Sequence, residues 1–310
     1  MTKKKTILIL GASGLLGSII FHRLAKTYKT IGFSHRKNNN KKILQTNYTK
    51  FSRKQISIIK NSEIIINCIG ENSNEGFMKK INIEILKKIS KQINILDKNK
   101  IFIHISTCGI YGNFNHILIT ENTQPNPKTI YSKTKYEGEL ILKKVLNNYC
   151  KLIILRPSQV IGESMKNTSL KKLYYYIKRK LFFYVNNQSS LFSYIFVDDL
   201  LIIIEKLLKK KNYKSQTYNV SNQITYKKLV TIIQKTLKQS FYYPSISPLI
   251  IKLIIFIFED LMKMKIPINN KTLNSLMVKT TFGSKLIKRD LKIKKFTTIN
   301  LKNLKALINE

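Results

Sequence analysis

Short apolar runs alternate with longer amphipathic stretches through the first half of the chain. The runs are nearly continuous in Ile, Leu and Phe, as expected of strands covered on both faces of a sheet, and they span residues 6–10, 30–33, 64–69, 101–106 and 152–155. The stretches between them have the periodicity and length of helices, and they span residues 15–28, 77–96 and 131–148. This alternation predicts an α/β fold in which helices flank a parallel sheet.

The rhythm changes after Arg156 and Pro157, where the segments become more aromatic. The pattern there predicts helices at 170–180 and 226–238 and strands at 182–185, 192–197 and 216–220. Asp198 and Asp199 follow the second of these strands and could cap a helix that runs through Leu208. The remaining C-terminal segment reads as helical and irregular by turns.

Three glycines separate the first predicted strand from the first predicted helix, in the sequence Gly11-Ala12-Ser13-Gly14-Leu15-Leu16-Gly17. Small residues at this spacing permit a tight turn, a close approach of the backbone to a pyrophosphate, and close packing of helix on sheet. We therefore expect a dinucleotide to contact this loop, through Gly11, Ser13, Gly14, Leu15, Leu16 and Gly17.

The loop after the second predicted strand bears on the choice of cofactor. It lacks the acidic residue, about 20 residues beyond the glycines, that would bond the ribose 2′-hydroxyl of NAD. Arg36 and Lys37 stand there instead and suit a 2′-phosphate, although an exposed basic loop is the alternative explanation. The sequence favours NADP over NAD and leaves both open.

These features together predict a Rossmann-type, doubly wound parallel sheet with a smaller C-terminal substrate lobe. Residues 1–165 form the dinucleotide-binding domain, and residues 192–222 return to it. Residues 166–191 and 223–310 form the lobe, which closes over the carboxyl ends of the strands, where ligands of open α/β sheets bind.

Tyr131 and Lys135 lie four residues apart on a predicted helix, so they share one face and can act on one substrate oxygen. A tyrosine with a pKa near 10 is too weak an acid for efficient proton transfer near neutrality, and a cation within about 4 to 6 Å can lower that pKa by about one to three units. Ser106 and Thr107 end the strand upstream and supply a hydroxyl.

With these residues in place, the chain resembles the extended short-chain dehydrogenase/reductase family, especially its nucleotide-sugar epimerases and reductases. Besides the glycine loop, the matching segments are 105–112, 131–135, Leu155-Arg156-Pro157, 196–200 and 218–220. The resemblance implies an NAD(P)-dependent enzyme in which Tyr131 is the general acid/base. It implies that Lys135 lowers the pKa of Tyr131 and holds the nicotinamide ribose, and that Thr107 bonds the reacting oxygen, with Ser106 as the neighbouring alternative.

The chain departs from some members of that family. Similar sugar dehydratases carry an Asp-Glu pair directly after the threonine, where this chain has Cys108-Gly109, so dehydration is disfavoured. Members that epimerise beside a keto group carry a cysteine two residues before the position of Tyr111, whereas Cys108 stands three before it. Strand alternation would turn the Cys108 side chain away, and we expect it to serve packing.

The substrate expected from the resemblance is a nucleotide-activated sugar. Tyr174, Lys178 and Arg179 suit a nucleotide base and diphosphate, although a lobe helix with solvated charges explains them equally well. Two other functions use the same parts: a non-catalytic nucleotide-binding subunit of the complex I accessory type, and a reductase of steroid-like or flavonoid-like alcohols or ketones.

Composition adds a net charge of +40, from 56 Lys and Arg against 16 Asp and Glu. Nearly all of it is scattered lysine without a zinc-finger, basic-zipper or RNA-recognition signature, so we expect no specific nucleic-acid partner. Three cysteines without CxxC pairing and four isolated histidines predict neither a disulfide framework nor a metal site, and His104 reads as a core residue. We expect a cytoplasmic protein with no transmembrane segment and a homodimer as one option. Residues 249–258 predict a buried or membrane-grazing helix.

Overall fold

The computed structural model describes residues 5–93, 100–112, 118–146, 150–186, 190–210, 212–263, 273, 276–277 and 279–308. Its central sheet has seven parallel strands: β1 (Thr6–Leu10), β2 (Lys29–Ser34), β3 (Ile43–Gln45), β4 (Ile64–Asn67), β5 (Ile101–Ile105), β7 (Lys151–Pro157) and β11 (Gln216–Val220). Their order is β3-β2-β1-β4-β5-β7-β11, so the chain winds outward in both directions from β1. The Rossmann-type doubly wound sheet is confirmed.

Helices cover both faces of this sheet, and the alternation of side chains along each strand explains why the strands are apolar throughout. In β1, Ile7 and Ile9 pack in a core with helix α1 (Leu15–Leu24) and helix α7 (Val197–Lys209). Leu8 and Leu10 point the other way, into a core with α2 (Arg53–Asn61), α4 (Leu86–Ile93) and α5 (Ile130–Leu146).

Most of the predicted elements are present with shifted ends. The helix expected at 77–96 begins earlier, as α3 (Glu75–Lys79), and continues through a π-helical segment (Lys80–Ile85) into α4; its predicted end lies outside the described residues, as do 147 and 148 of the helix expected at 131–148. Strand β3 and helix α2 were not predicted. A short 3-10 turn (Cys108–Tyr111) and strand β6 (Leu118–Ile119) connect β5 to α5.

The second half builds smaller sheets beside the central one. Strands β8 (Gln159–Ile161), β10 (Leu191–Phe196) and β12 (Asn222–Thr225) form one sheet with β10 in the middle. β9 (Tyr184–Val185) pairs with β13 (Ser245–Ile246), and β14 (Thr281–Phe282) pairs with β6. Of the segment 192–222, β11 joins the central sheet, whereas β10 does not. The predicted domain boundaries stay a prediction.

The remaining helices are α6 (Thr168–Lys178), α8 (Tyr226–Thr236), α9 (Pro248–Ile255) with a π-helical segment (Phe256–Leu261), α10 (Lys285–Asp290) and α11 (Leu301–Ile308). α6, α8 and α11 pack with β10 around a second core that includes Leu170, Tyr194, Leu229 and Leu304. This core is built by the lobe segments rather than by the seven-stranded sheet.

The pair Asp198-Asp199 differs in detail from its expected role. The N-cap of α7 is Phe196, and both aspartates lie in the first turn, where a negative charge favours the helix dipole. Asp199 also accepts hydrogen bonds from the backbone N–H and the hydroxyl of Thr297, at 2.8 and 3.1 Å. It therefore ties the C-terminal segment to α7 instead of capping the helix.

Candidate active site

A cleft of about 840 Å³ opens at the carboxyl ends of β1, β4, β5 and β7, and residues from all three predicted motifs line it. Gly14, Leu15, Leu16 and Gly17 line one part, and Thr107, Tyr131 and Lys135 line another. Since parallel strands present their carboxyl ends at one edge of the sheet, segments more than 100 residues apart in sequence meet here.

The glycine loop has its shape because two of its positions admit no side chain. Gly11 has a φ of +81°, in the region that favours glycine, and a Cβ on it would lie 3.0 Å from the Ile69 nitrogen. A Cβ on Gly17 would lie 2.1 Å from the Gly11 carbonyl oxygen. Helix α1 can therefore start directly against the loop, and its first turn borders the cleft.

Tyr48 holds this loop in place by hydrogen bonds, a role that was not predicted from the sequence. Its buried hydroxyl donates to the Phe33 carbonyl oxygen at 2.7 Å and accepts from the Gly11 N–H at 2.9 Å. Tyr48 follows β3, which was itself not predicted, so no local pattern pointed to it.

Ser13 and Arg36 lie next to each other because both contact the Ser34 hydroxyl. The Ser13 and Ser34 hydroxyls lie 2.6 Å apart, and the Arg36 N–H donates to the Ser34 hydroxyl at 3.0 Å. Arg36 is exposed just beyond β2, beside the glycine loop, although it does not line the cleft. The structure thus brings the predicted 2′-phosphate residue next to the predicted pyrophosphate loop.

Lys135 is almost fully buried, and its ammonium donates to the Ile105 carbonyl oxygen at the end of β5, at 2.7 Å. Gly70 lies beside the ammonium, since a Cβ built on it would be 3.6 Å from the Lys135 Nζ. Tyr131 lies one helical turn earlier on α5 and lines the same cleft. The shared face predicted from their spacing is present.

The electrostatics of this pair differ from the expectation. Burial raises the pKa of Tyr131 to about 12, and burial lowers the pKa of Lys135 to about 8 although the nearby Glu139 carboxylate raises it in part. Lys135 was expected to lower the pKa of Tyr131. In this structure its ammonium bonds the Ile105 carbonyl, and desolvation dominates the phenol.

The hydroxyls of Ser106 and Thr107 have different surroundings. Ser106 is buried, and its hydroxyl donates to the Glu139 carboxylate. Thr107 is partly exposed in the cleft and accepts from the Gly109 N–H at 3.1 Å, which leaves its own proton for a ligand. Of the two, Thr107 is the hydroxyl placed to meet a bound molecule.

A buried polar network lies directly beneath these residues. Arg156 donates to both Glu139 oxygens, with the shortest distance 2.6 Å, and to the Tyr111 hydroxyl at 2.5 Å. Tyr111 donates to the Asn219 side chain at 2.9 Å, so the network joins α5, β7, the 3-10 turn and β11. Sequence reasoning missed it; the signal was an arginine in an otherwise apolar strand.

A second set of side chains fixes the loop after β4. The Asn82 amide donates to the Glu71 carbonyl and the Thr134 hydroxyl, both at 3.0 Å, and its oxygen accepts from the Glu71 N–H. His104 is buried, and its Nδ1 lies 3.0 Å from the Asn67 amide nitrogen. The sequence did not predict a role for Asn67 or Asn82, because their hydrogen-bond partners lie on other elements.

Three residues expected to bind substrate lie outside the cleft. Tyr174 is buried in the lobe core, with the Lys178 ammonium 5.9 Å from its ring centroid. Arg179 lies over the Tyr175 ring at 4.4 Å and faces solvent. Helical periodicity turns Tyr174 inward, toward Ile177 and the lobe core, so the cluster divides between the core and the surface.

Cys108 is 2 % exposed, and its thiol donates to the Arg156 carbonyl oxygen at 2.9 Å. Burial raises the pKa of this thiol well above its usual value. The side chain is a buried neutral donor, which fits the packing role expected of it.

Residues 7–221, more than two thirds of the chain, match the sequence model of the "NAD dependent epimerase/dehydratase family". The chain belongs to the NAD dependent epimerase/dehydratase family. The resemblance to extended short-chain dehydrogenases is thereby confirmed, and the protein is an enzyme of that type. No curated protein sequence matches this epimerase/dehydratase family member.

Solved structures of similar fold support the same assignment of architecture. UDP-glucuronic acid 4-epimerase from Bacillus cereus, in complex with NAD, has 17% identity and a TM-score of 0.72, with 98% of this chain and 97% of that chain covered. UDP-glucose 4-epimerase from Thermotoga maritima has 16% identity and a TM-score of 0.70, with 98% and 97% covered. RMD from Pseudomonas aeruginosa, complexed with NADPH, has 13% identity and a TM-score of 0.66, with 98% of both chains covered.

Proposed function

We propose that this protein is an NAD(P)-dependent epimerase or reductase that acts on a nucleotide-activated sugar, with Tyr131 as the general acid/base. The observation that carries the proposal is that Thr107, Tyr131 and Lys135 line the same cleft as the glycine loop. A hydroxyl donor, a phenol and a buried ammonium are the groups needed to bind and protonate one substrate oxygen.

The residues present fit a dinucleotide. The bare backbone at Gly14 and Gly17 and the start of α1 would hold its diphosphate, and Lys135 would bond its nicotinamide ribose. Arg36, beside the same loop, would contact a 2′-phosphate and favours NADP. When bound, the nicotinamide ring donates and accepts the hydride.

The chain's own groups control the proton. Because the pKa of Tyr131 is about 12, this phenol holds its proton at neutral pH and is set to donate it to a carbonyl oxygen. The Thr107 hydroxyl would donate to the same oxygen. Accepting a proton from an alcohol first requires a deprotonated Tyr131, so oxidation of an alcohol should become faster as the pH rises.

Other groups in the cleft suit a nucleotide sugar. Lys128 and Lys166 line it and would attract a diphosphate, while Phe192 and Tyr226 offer flat surfaces for a base or a sugar ring. These four residues replace Tyr174, Lys178 and Arg179 as the proposed substrate contacts. The solved structures with UDP-glucuronic acid and UDP-glucose make uridine diphosphate sugars the first substrates to test.

The experiment begins with the nucleotide that copurifies. The protein is then incubated with UDP-glucose or UDP-glucuronic acid, alone or with NAD, NADP or NADPH, and products are resolved by anion-exchange chromatography and NMR. An epimer formed without net cofactor turnover identifies an epimerase. Stoichiometric reduction of NAD or NADP, with a keto sugar as the product, identifies an oxidoreductase, because the carbinol carbons of these sugars can only give hydride to the oxidised cofactor.

Two results would contradict the proposal. Bound dinucleotide with no turnover of any nucleotide sugar would indicate a non-catalytic subunit of the complex I accessory type. Turnover restricted to steroid-like or flavonoid-like ketones would keep the chemistry and overturn the substrate class.

A further inference from the structure

Helix α9 and the π-helical segment after it present an apolar face to solvent. Leu249 is 76% exposed, Leu253 57% and Phe256 51%. Three further residues of the same face, Ile250, Ile254 and Ile257, are between 37% and 53% exposed. We call these six residues the α9 face. An exposed, contiguous apolar surface of this kind marks an interaction site more often than an accident of composition.

The opposite side of the helix is packed inside the protein. Ile251 and Ile255 are 1% exposed and pack with Val185 and Leu273 in a small core. At 100° per residue, these two positions lie on one side of the helix and the six residues of the α9 face lie on the other. The α9 face is therefore apolar surface beyond what anchoring the helix requires.

The sequence that leads into α9 is basic. From Lys206 to Phe258 it contains ten lysines and no Asp or Glu, and the acidic pair Glu259 and Asp260 follows at the end of the helical segment. Lys252 is exposed on α9 itself, at the edge of the apolar face. The segment that leads into α9 adds Phe241 and Tyr242, which are 40% and 81% exposed, and the Lys180 ammonium lies 5.5 Å from the Phe241 ring centroid.

The length of the helix sets how it could meet a bilayer. From Pro248 to Leu261 the helical segments span 14 residues, about 21 Å at 1.5 Å per residue, short of the roughly 30 Å hydrocarbon core. Across the ranges that the structure describes, no helix has the length and apolar character to cross a membrane. A helix of this size with one apolar face lies in the interfacial plane.

We propose that the α9 face binds the surface of an anionic phospholipid bilayer. Leu249, Leu253 and Phe256 would enter the boundary between headgroups and acyl chains, and Lys252 would contact lipid phosphates. Charge complementarity selects this occupant over a second copy of the chain. Two copies meeting through these faces would bring together two molecules of net charge +40, whereas an anionic surface attracts them.

The test is co-sedimentation of the full-length protein with vesicles of phosphatidylcholine and phosphatidylglycerol, compared with vesicles of phosphatidylcholine alone. We expect binding to the anionic vesicles, release as sodium chloride is added, and at least about tenfold weaker partitioning to the neutral ones. The double variant Leu249→Asn/Leu253→Asn should partition roughly tenfold or more weakly to anionic vesicles, because two exposed apolar side chains are lost.

The matched control is Ile202→Asn/Leu140→Asn, which makes the same kind of change at residues 40% and 47% exposed on α7 and α5. It should bind as the parent does, and both double variants should keep the parent's dinucleotide affinity. If the α9 double variant fails to fold, Leu249→Asn alone replaces it, since Leu249 is 76% exposed, and it should still partition to anionic vesicles more weakly than the parent.

Three vesicle-binding results overturn the proposal: no sedimentation with anionic vesicles, equal binding by the α9 variant and the parent, or binding that does not depend on lipid charge and salt. A lipid-free dimer, seen by sedimentation velocity and lost in the α9 variant, would also overturn it and assign the α9 face to a second copy.

Discussion

Strand β1 and helix α9 are made of the same kinds of residue, but the side chains of β1 are buried and many of those of α9 are exposed. Ile7, Leu8, Ile9 and Leu10 are fully buried, whereas Leu249 on α9 is 76% exposed. β1 lies in the middle of a sheet that has helices on both faces, while α9 has a core on one side only. The difference teaches that local hydrophobicity sets where an element forms, and the elements around it decide whether its side chains stabilise the fold or remain for a partner.

Charged groups show the same contrast. Arg156 and Glu139 are 2% and 0% exposed and form an ion pair beneath the active-site cleft. Arg23 and Glu205 form an ion pair at a similar distance, but on the surface. Burial, and not the presence of a bond, should therefore determine what each pair contributes.

The largest effect is expected at the buried pair. Glu139→Gln leaves Arg156 buried without a counter-charge, and the free energy of unfolding should fall by about 3 to 5 kcal/mol. Glu205→Gln, which breaks the surface pair, should change it by no more than about 1 kcal/mol. Urea denaturation at neutral pH measures both. Equal losses in the two variants would contradict the comparison.

Truncation of leucines tests the strand against the helix. Leu8→Ala removes buried methyl groups from β1 and should lower the free energy of unfolding by about 2 to 5 kcal/mol. Leu249→Ala should change it by no more than about 0.5 kcal/mol, because the side chain is already in water. A large loss at Leu249 would mean that the α9 face is covered within the fold.

A single methyl group in the glycine loop should have an intermediate effect. Gly17→Ala places a Cβ 2.1 Å from the Gly11 carbonyl oxygen, so α1 must move away from the loop, at a cost of about 1 to 3 kcal/mol in dinucleotide binding. Gly283→Ala is the control, because Gly283 lies outside the lining of the cleft and its Cβ would meet no atom closer than 3.4 Å. Isothermal titration with NAD and NADPH compares them, and equal affinities would contradict the assigned role of Gly17.

The smallest expected effect is the change in catalytic rate for each unit of pH. With the pKa of Tyr131 raised to about 12, the rate of alcohol oxidation should rise roughly tenfold per pH unit between about pH 6 and 8, because only the deprotonated phenol accepts a proton. Carbonyl reduction should be flat over that range, because Tyr131 stays protonated. If the rate of carbonyl reduction instead falls as the pH passes 7, the pKa of Tyr131 during catalysis must lie far below the value of about 12 in this structure.

The parts that could be predicted from sequence are those fixed by local spacing. Gly11, Gly14 and Gly17 stand between a strand and a helix, and Tyr131 and Lys135 are one helical turn apart, so each pattern carries its own geometry. The parallel sheet followed from the apolar runs. Strand β3 was missed because it has three residues at the sheet edge, and α2 was missed although Ser52 and Gln55 form a capping box at its start.

The parts that could not be predicted depend on contacts between distant elements. Tyr111 and Asn219 are 108 positions apart, and Tyr48 reaches the glycine loop across 37. Burial raises the pKa of Tyr131, and the Ile105 carbonyl binds the Lys135 ammonium; the spacing of the two residues predicts neither. The fate of Tyr174 likewise depends on which side of α6 faces the lobe core.

The most direct test of the central claim is the turnover of Tyr131→Phe against that of Tyr136→Phe, with the dinucleotide dissociation constant measured for both. Tyr136 is on the same helix and outside the lining of the cleft, so its variant controls for the loss of a hydroxyl from α5. We predict that kcat falls by about 10²- to 10⁴-fold in Tyr131→Phe with dinucleotide affinity unchanged, and that Tyr136→Phe keeps both. Full turnover by Tyr131→Phe would contradict the assignment of this phenol as the acid/base.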